Sequence, residues 1–136
     1  MGQQQLLLII LGVIVVGIAV AVGITMFNDS AVSANRDAVT NDLINLASRA
    51  QQFYRRPTAL GGGGGSFATL TDISQIAKTK KGSALVNGNG SYTLATGNPV
   101  LITGVGTEYG MDPATKVTGV MQVWADSAKV DETKTN

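Results

Sequence analysis

The stretch LLLIILGVIVVGIAVAVGITMF, from Leu6 to Phe27, limits what this chain can fold into more than any other part of it. It carries no charge and a single polar side chain, Thr25. At about 22 residues it matches the roughly 20 that an α-helix needs to cross the hydrocarbon layer of a bilayer. A helix that is apolar on every side is sheltered either by lipid or by the middle of a large helical assembly. The rest of the chain is too small to do it. Of 136 residues, about 80 remain for a folded head once the helical residues through Arg55 are set aside, close to the lower limit for a domain that stabilises itself.

The flanks of the run narrow its identity. Residues 1–5, MGQQQ, are polar and uncharged, whereas a secretory signal peptide carries a basic n-region ahead of a shorter apolar segment. A signal anchor keeps Lys or Arg beside the span to set its orientation, yet the first basic residue here is Arg36. The expectation is that a basic leader preceded Met1 and was removed. Inside the run, Gly12, Ala19 and Gly23 mark one small-residue face, and Gly17 and Ala21 a second. Such spacings let helices approach closely. The three glycines each lower helix propensity by about 1 kcal/mol relative to alanine, so part of the segment can stretch or melt, although no proline enforces a break.

From Asn28 onward the pattern changes. Val32, Val39, Leu46 and Phe53 recur every seven residues, with Leu43, Ala47 and Ala50 between them, which predicts one continuous helix that becomes amphipathic beyond the apolar run. Asn35, Arg36, Asp37, Asn41, Asp42, Asn45 and Arg49 read as its opposite, solvated face. Arg55-Arg56 suits the negative end of a helix dipole, and Pro57 stops the helix. Unbroken from Gly2 to Arg55, such a rod is about 80 Å long.

Gly61 to Gly65, followed by Ser66, reads as a flexible connector. It is not a phosphate loop, because no Lys-Ser/Thr pair follows at the required spacing and no strand precedes it. Residues 71–77 predict a short helix with Thr71 as its cap. Lys78, Lys80 and Lys81 beyond it read as a solvated edge. Strands are expected at 84–86 and 91–96 around Asn87-Gly88-Asn89-Gly90, a repeated hairpin signal, and again at 100–105 and 116–125. Three or four strands need cover on one face, and the amphipathic half of the helix supplies it. The expected architecture is α+β. Residues 1–56 form the long helix, with 1–27 as the membrane or filament-core segment and 28–56 as the amphipathic half. Residues 57–66 are a glycine-rich linker, 67–125 a β-rich head and 126–136 a polar tail.

Composition excludes several classes of chemistry. A net charge of +1 from 10 basic and 9 acidic residues gives no electrostatic footprint for nucleic acid. Cysteine and histidine are absent, so the chain has no thiol chemistry and lacks the commonest general base and metal ligand. Asp72, Glu108, Asp112 and Asp126 are acids of the head. No two of them fall at a spacing that one helix or adjacent strands would bring together, so no catalytic residue, cofactor or metal is expected. Asn28-Asp29-Ser30 and Asn89-Gly90-Ser91 match the N-glycosylation sequon, although turn chemistry also accounts for Asn89, and Asn28 for the helix leaving lipid. The aromatics are few and no haem-attachment motif occurs, which leaves no basis for electron transport along a fibre.

An N-terminus running at once into two dozen apolar residues, one helix continuing into an amphipathic half, and a small meander packed on that half resemble the type IV pilins. The local sequence anchor of the resemblance is residues 1–27. It aligns Met1 with the family's processed and methylated first residue, puts Gln5 where the family usually carries glutamate, and has Leu6 open the apolar segment. It implies a basic leader cut by a prepilin peptidase and storage in the inner membrane. Assembly by a pilus machinery would follow, into a helical homopolymer at the cell surface that serves adhesion, motility or attachment. Three departures stand out. The family's carboxylate at position five meets the N-terminal amine of a neighbouring subunit, a charge-assisted bond that the Gln5 amide makes more weakly. No proline lies near position 22, and no disulfide closes the C-terminal region. Cleavage after Gly2, leaving Gln3 first, would resemble the archaeal pilins. Two other readings share the same first 55 residues: a type II secretion pseudopilin building a short periplasmic fibre, and a monomeric head on a single-pass membrane anchor.

Overall fold

A computed structural model describes residues 2–110, 112 and 114–131. One helix, α1, runs unbroken from Gly2 to Arg55, 54 residues. Five strands follow: β1 (Leu85–Val86), β2 (Gly90–Ala95), β3 (Val100–Tyr109), β4 (Lys116–Val123) and β5 (Ala128–Val130). They form one antiparallel sheet in the order β1-β2-β3-β4-β5. The α+β architecture of a long helix on a small sheet is therefore as the sequence implied.

The core lies between the sheet and the second half of α1. Val39, Leu43, Leu46, Ala47, Ala50 and Phe53 are the buried residues of the helix. They meet Tyr92, Val100, Ile102, Met121 and Val123 from the strands, and Phe67, Leu70, Ile73, Ile76 and Ala77 from the segment between helix and sheet. Alternation of side chains along a strand puts Tyr92, Ile102 and Met121 on one face, and the register pairs Ile102 with Met121 and Val100 with Val123. Under Val39 and Leu43 two neighbouring positions of this face carry no side chain. Gly104 and Gly119 are register partners in β3 and β4. A Cβ on Gly104 would come within 2.9 Å of Val39 Cγ1, and one on Gly119 within 2.9 Å of Leu43 Cδ1. The paired glycines form a saddle that lets the helix lie close, a use that isolated glycines in strands often serve.

Three expectations are corrected. Residues 61–65 are not a loose connector but a cap on α1. The backbone N–H groups of Gly63, Gly64 and Gly65 donate to the carbonyls of Phe53 (2.8 Å), Arg56 (2.9 Å) and Tyr54 (2.8 Å). Carbonyls in the last turn of a helix lack intrahelical donors, and the run folds back to supply them. Gly64 and Gly65 do so at φ of 58° and 85°, where a side chain would strain the backbone. Next, the short helix at 71–77 is a single 3-10 turn, Ile73–Gln75, and its cap is Asp72 in place of Thr71. Asp72 Oδ1 accepts from Ser74 N at 2.8 Å and Gln75 Oε1 accepts from Asp72 N at 3.0 Å, the reciprocal box that sets this register. Finally, the polar tail expected from residue 126 contains β5, which pairs with β4 from Val123–Ala128 to Met121–Val130. Trp124 N donates to Ser127 O at 2.8 Å to close the turn. Alternation over three residues is too short to have signalled a strand. Residues 132–136 of that tail lie outside the described residues.

Candidate functional site

The apolar half of α1 is bare. Every large apolar side chain from Leu6 to Phe27 is at least half exposed, from 50% at Val22 to 74% at Phe27. Gln5, Leu6, Gly12, Gly17, Ala19, Ala21 and Gly23 all lie on this uncovered rod. A Cβ added at Gly12, Gly17 or Gly23 would meet nothing within 4 Å. The helix is long and apolar enough to cross a membrane. Met1, expected at the processed terminus, lies outside the described residues.

The head grips α1 through two parallel seams. Val39, Leu43, Leu46 and Phe53 form the apolar one, as their spacing predicts, and all are buried. Val32, expected to extend it, is only half-buried and lies outside the core cluster. The sheet stops short of it, since the last side chain of α1 bonded to the head on this side is Asn35. The second seam is polar and was not anticipated. Asn35 Nδ2 donates to Asn89 O at 2.9 Å and to Thr107 Oγ1 at 3.2 Å. Asp42 Oδ2 accepts from Tyr92 Oη at 2.6 Å, Asn89 Nδ2 at 2.8 Å and Asn87 Nδ2 at 2.9 Å. An Arg49 guanidinium N–H donates to Ile76 O at 3.3 Å. By type these three read as a solvated face, yet they too recur every seven residues. Each precedes a member of the apolar seam by four (Asn35 and Val39, Asp42 and Leu46, Arg49 and Phe53), and residues four apart share one helix face. That spacing was the signal in the sequence.

Asp42 is the electrostatic centre of this clamp. Burial, the largest single influence, raises its carboxyl, but the hydrogen bonds from Tyr92, Asn89 and Asn87 together outweigh it and hold the group below its ordinary value of 3.8. Burial pushes the Tyr92 hydroxyl well above its ordinary range, and its bond to the charged Asp42 pushes it further. Tyr92 therefore stays a donor and Asp42 an acceptor across the ordinary pH range. Asp72, at the 3-10 turn, is also held low, first by the backbone N–H of Ser74 and then by that of Gly82. Turning the head about the rod would break both seams at once, so rod and head meet at a fixed angle.

Asn89, one of the sequon asparagines, is occupied in this clamp by both its amide and its carbonyl, so it is not the freely projecting side chain a hairpin tip suggests. Asn28 is exposed on α1. The head's acids are dispersed: Asp72 caps the 3-10 turn, the Glu108 N–H donates to Asn35 Oδ1 at 3.4 Å, Asp112 Oδ1 accepts from Ala114 N at 3.0 Å, and Asp126 Oδ1 accepts from Ser127 Oγ at 3.3 Å. Among the described residues no three His, Cys, Asp or Glu side chains cluster as a metal would require. A groove of about 450 Å³ between Tyr54, Phe67 and Asn98 is lined by no ionisable group but the Tyr54 phenol. The geometry describes a rigid handle on an unsheltered apolar rod. Compared with protein-family models, curated proteins and solved structures, the chain matches none of them.

Proposed function

We propose that this chain is a structural subunit that polymerises through its apolar N-terminal helix into an extracellular filament of the type IV pilus kind, held in a membrane before assembly. One observation carries the reading: a rod bare from Leu6 to Phe27 continues into a half whose apolar stripe, from Val39 to Phe53, is buried by its own head. Burying one leucine or isoleucine side chain contributes roughly 1.5–3 kcal/mol relative to water, so an isolated copy in water is unstable against association. Moving the rod from lipid to a bundle of like rods is nearly neutral in hydrophobic terms, and close packing at Gly12, Gly17, Ala19, Ala21 and Gly23 would decide it. The clamped joint supports the same reading, because a regular helical polymer needs every head held at the same angle to its rod. A prepilin-type peptidase and an assembly machinery are the partners this implies, and the role is structural, not catalytic.

The length of the apolar span favours a second reading. About 33 Å of helix, at 1.5 Å per residue, fits a hydrocarbon layer of about 30 Å, so a single-pass anchor with a monomeric head satisfies the rod as well. Shearing surface material from cells without detergent and imaging it separates the two. Long filaments containing this chain support the polymer. Recovery only as membrane-bound monomers removes it, and short fibres confined to the periplasm point to a pseudopilin. Mass spectrometry of the N-terminal peptide then tests for processing and methylation.

A further inference from the structure

The hairpin that closes the polar seam contains two Asn-Gly pairs in opposite chemical situations. Asn87 Oδ1 accepts two backbone N–H groups, from Asn89 at 2.9 Å and Gly90 at 3.0 Å. Paired amides at this distance stabilise negative charge developing on a carbonyl oxygen. The residue that follows, Gly88, is exposed, and its N–H makes none of the turn's backbone hydrogen bonds. An electrophilic carbonyl and an unoccupied backbone nitrogen thus sit next to each other, with no Cβ to obstruct their approach. In the second pair the arrangement is reversed. Gly90 is buried in β2 and its N–H is committed to Asn87; both asparagine side-chain amides donate to Asp42, so the two pairs differ at the glycine nitrogen and not at the amide that leaves.

We propose that Asn87 is a self-modifying site, converted through a cyclic imide to aspartate or isoaspartate, and that the fold protects Asn89 two residues away. Hydroxide takes the proton from Gly88 N, and the nitrogen attacks Asn87 Cγ. A C–N bond forms while the π electrons move onto Oδ1, where the N–H groups of Asn89 and Gly90 hold them. Collapse of this intermediate breaks the Cγ–Nδ2 bond, and the nitrogen takes a proton from water and leaves as ammonia. One water then opens the imide: attack at Cγ gives aspartate, and attack at the backbone carbonyl gives isoaspartate with the main chain rerouted through the side chain. The net change consumes one water and releases one ammonia, without oxidation or reduction.

The conversion alters the joint between head and rod. Asn87 Nδ2 is one of three donors on Asp42 Oδ2, at 2.9 Å. The product puts a carboxylate where that donor was, facing a second carboxylate, and like charges at this range repel. The age of a subunit is in this way written into its clamp.

The full-length chain, in detergent micelles at mildly alkaline pH, is sampled over time by peptide mapping, with a synthetic peptide of residues 84–93 as the unfolded reference. Asn87 should convert in the folded chain at least as fast as in the peptide. Asn89 should convert on the order of 100-fold more slowly than in the peptide, the factor being set by local opening of β2. Gly88→Ala, whose Cβ would meet nothing within 4 Å, should slow Asn87 by roughly tenfold by hindering the nitrogen's approach, with the fold and Asn89 unchanged. Equal rates at the two asparagines, a slower Asn87 in the folded chain than in the peptide, or no effect of Gly88→Ala would each overturn the proposal.

Discussion

Residues 6–27 and residues 39–53 belong to one uninterrupted helix, and they stand in opposite relations to their surroundings. In the second stretch Val39 and Leu43 are each 1% exposed; in the first, no large apolar side chain falls below 50%. The backbone is the same in both, so the difference lies in where the apolar residues sit around the axis. One stripe with polar flanks can be covered by a five-stranded sheet, whereas a surface apolar all round cannot be enclosed by a head of this size. Stability of the head and shelter for the rod are therefore separate properties carried by one element. Packing on the sheet governs the first, and contacts outside the monomer govern the second.

That separation can be broken or sharpened by substitution. The largest effect is expected from a charge at Gly12 or Ala19. An unpaired charge buried in an apolar bundle is strongly unfavourable, so polymer should vanish while the head's thermal transition, followed by circular dichroism, stays where it was. Normal fibres from either variant would refute the packing account. The converse change is Leu43→Ala, which should take about 2–5 kcal/mol from the head in denaturant unfolding and leave the rod's partition into vesicles untouched.

Asp42→Ala comes next, at about 1.5–3 kcal/mol for losing hydrogen bonds to a charged group. It should also change the response to acid. Because the folded carboxyl lies below its ordinary value near 3.8, Asp42 contributes its full stability above that value and loses it as pH falls through the lower folded one. Unfolding measured across that window should be less acid-sensitive in the variant, with the share due to Asp72 retained. An unchanged acid profile would mean the clamp bears no load. The smallest effect is Gly119→Ala, at about 1 kcal/mol, the low end for overpacking, because the new methyl meets the terminal Cδ1 of Leu43 and not backbone. A larger loss would mean that the helix cannot lift from its saddle at all.

Much of the fold was legible because it is written locally. The apolar run, the sevenfold recurrence through Phe53 and Pro57 bound α1 at Gly2–Arg55 without reference to anything distant. The Asn-Gly signal likewise marks the turn between β1 and β2. The grip of head on rod was less legible. Val32 fits the recurrence as well as Val39 does, and where the sheet ends decides that only one of them is buried. The five glycines have the composition of a slack tether, and their service as a helix cap depends on the chain returning over Phe53, Tyr54 and Arg56.

By itself, then, the sequence determined that a long helix exists, that its first half needs shelter from outside the molecule, and that the second half carries a sheet. These follow from periodicity and length, which neighbouring residues set between them. Tertiary structure alone decided which groups of the head Asn35, Asp42 and Arg49 bond, that β5 completes the sheet, and that Gly104 and Gly119 receive the helix. The partners of Asp42 lie 45 to 50 residues away along the chain. The sevenfold spacing marks the helix face on which Asp42 lies, but which donors reach it is set by strands far along the chain, and no local pattern records those.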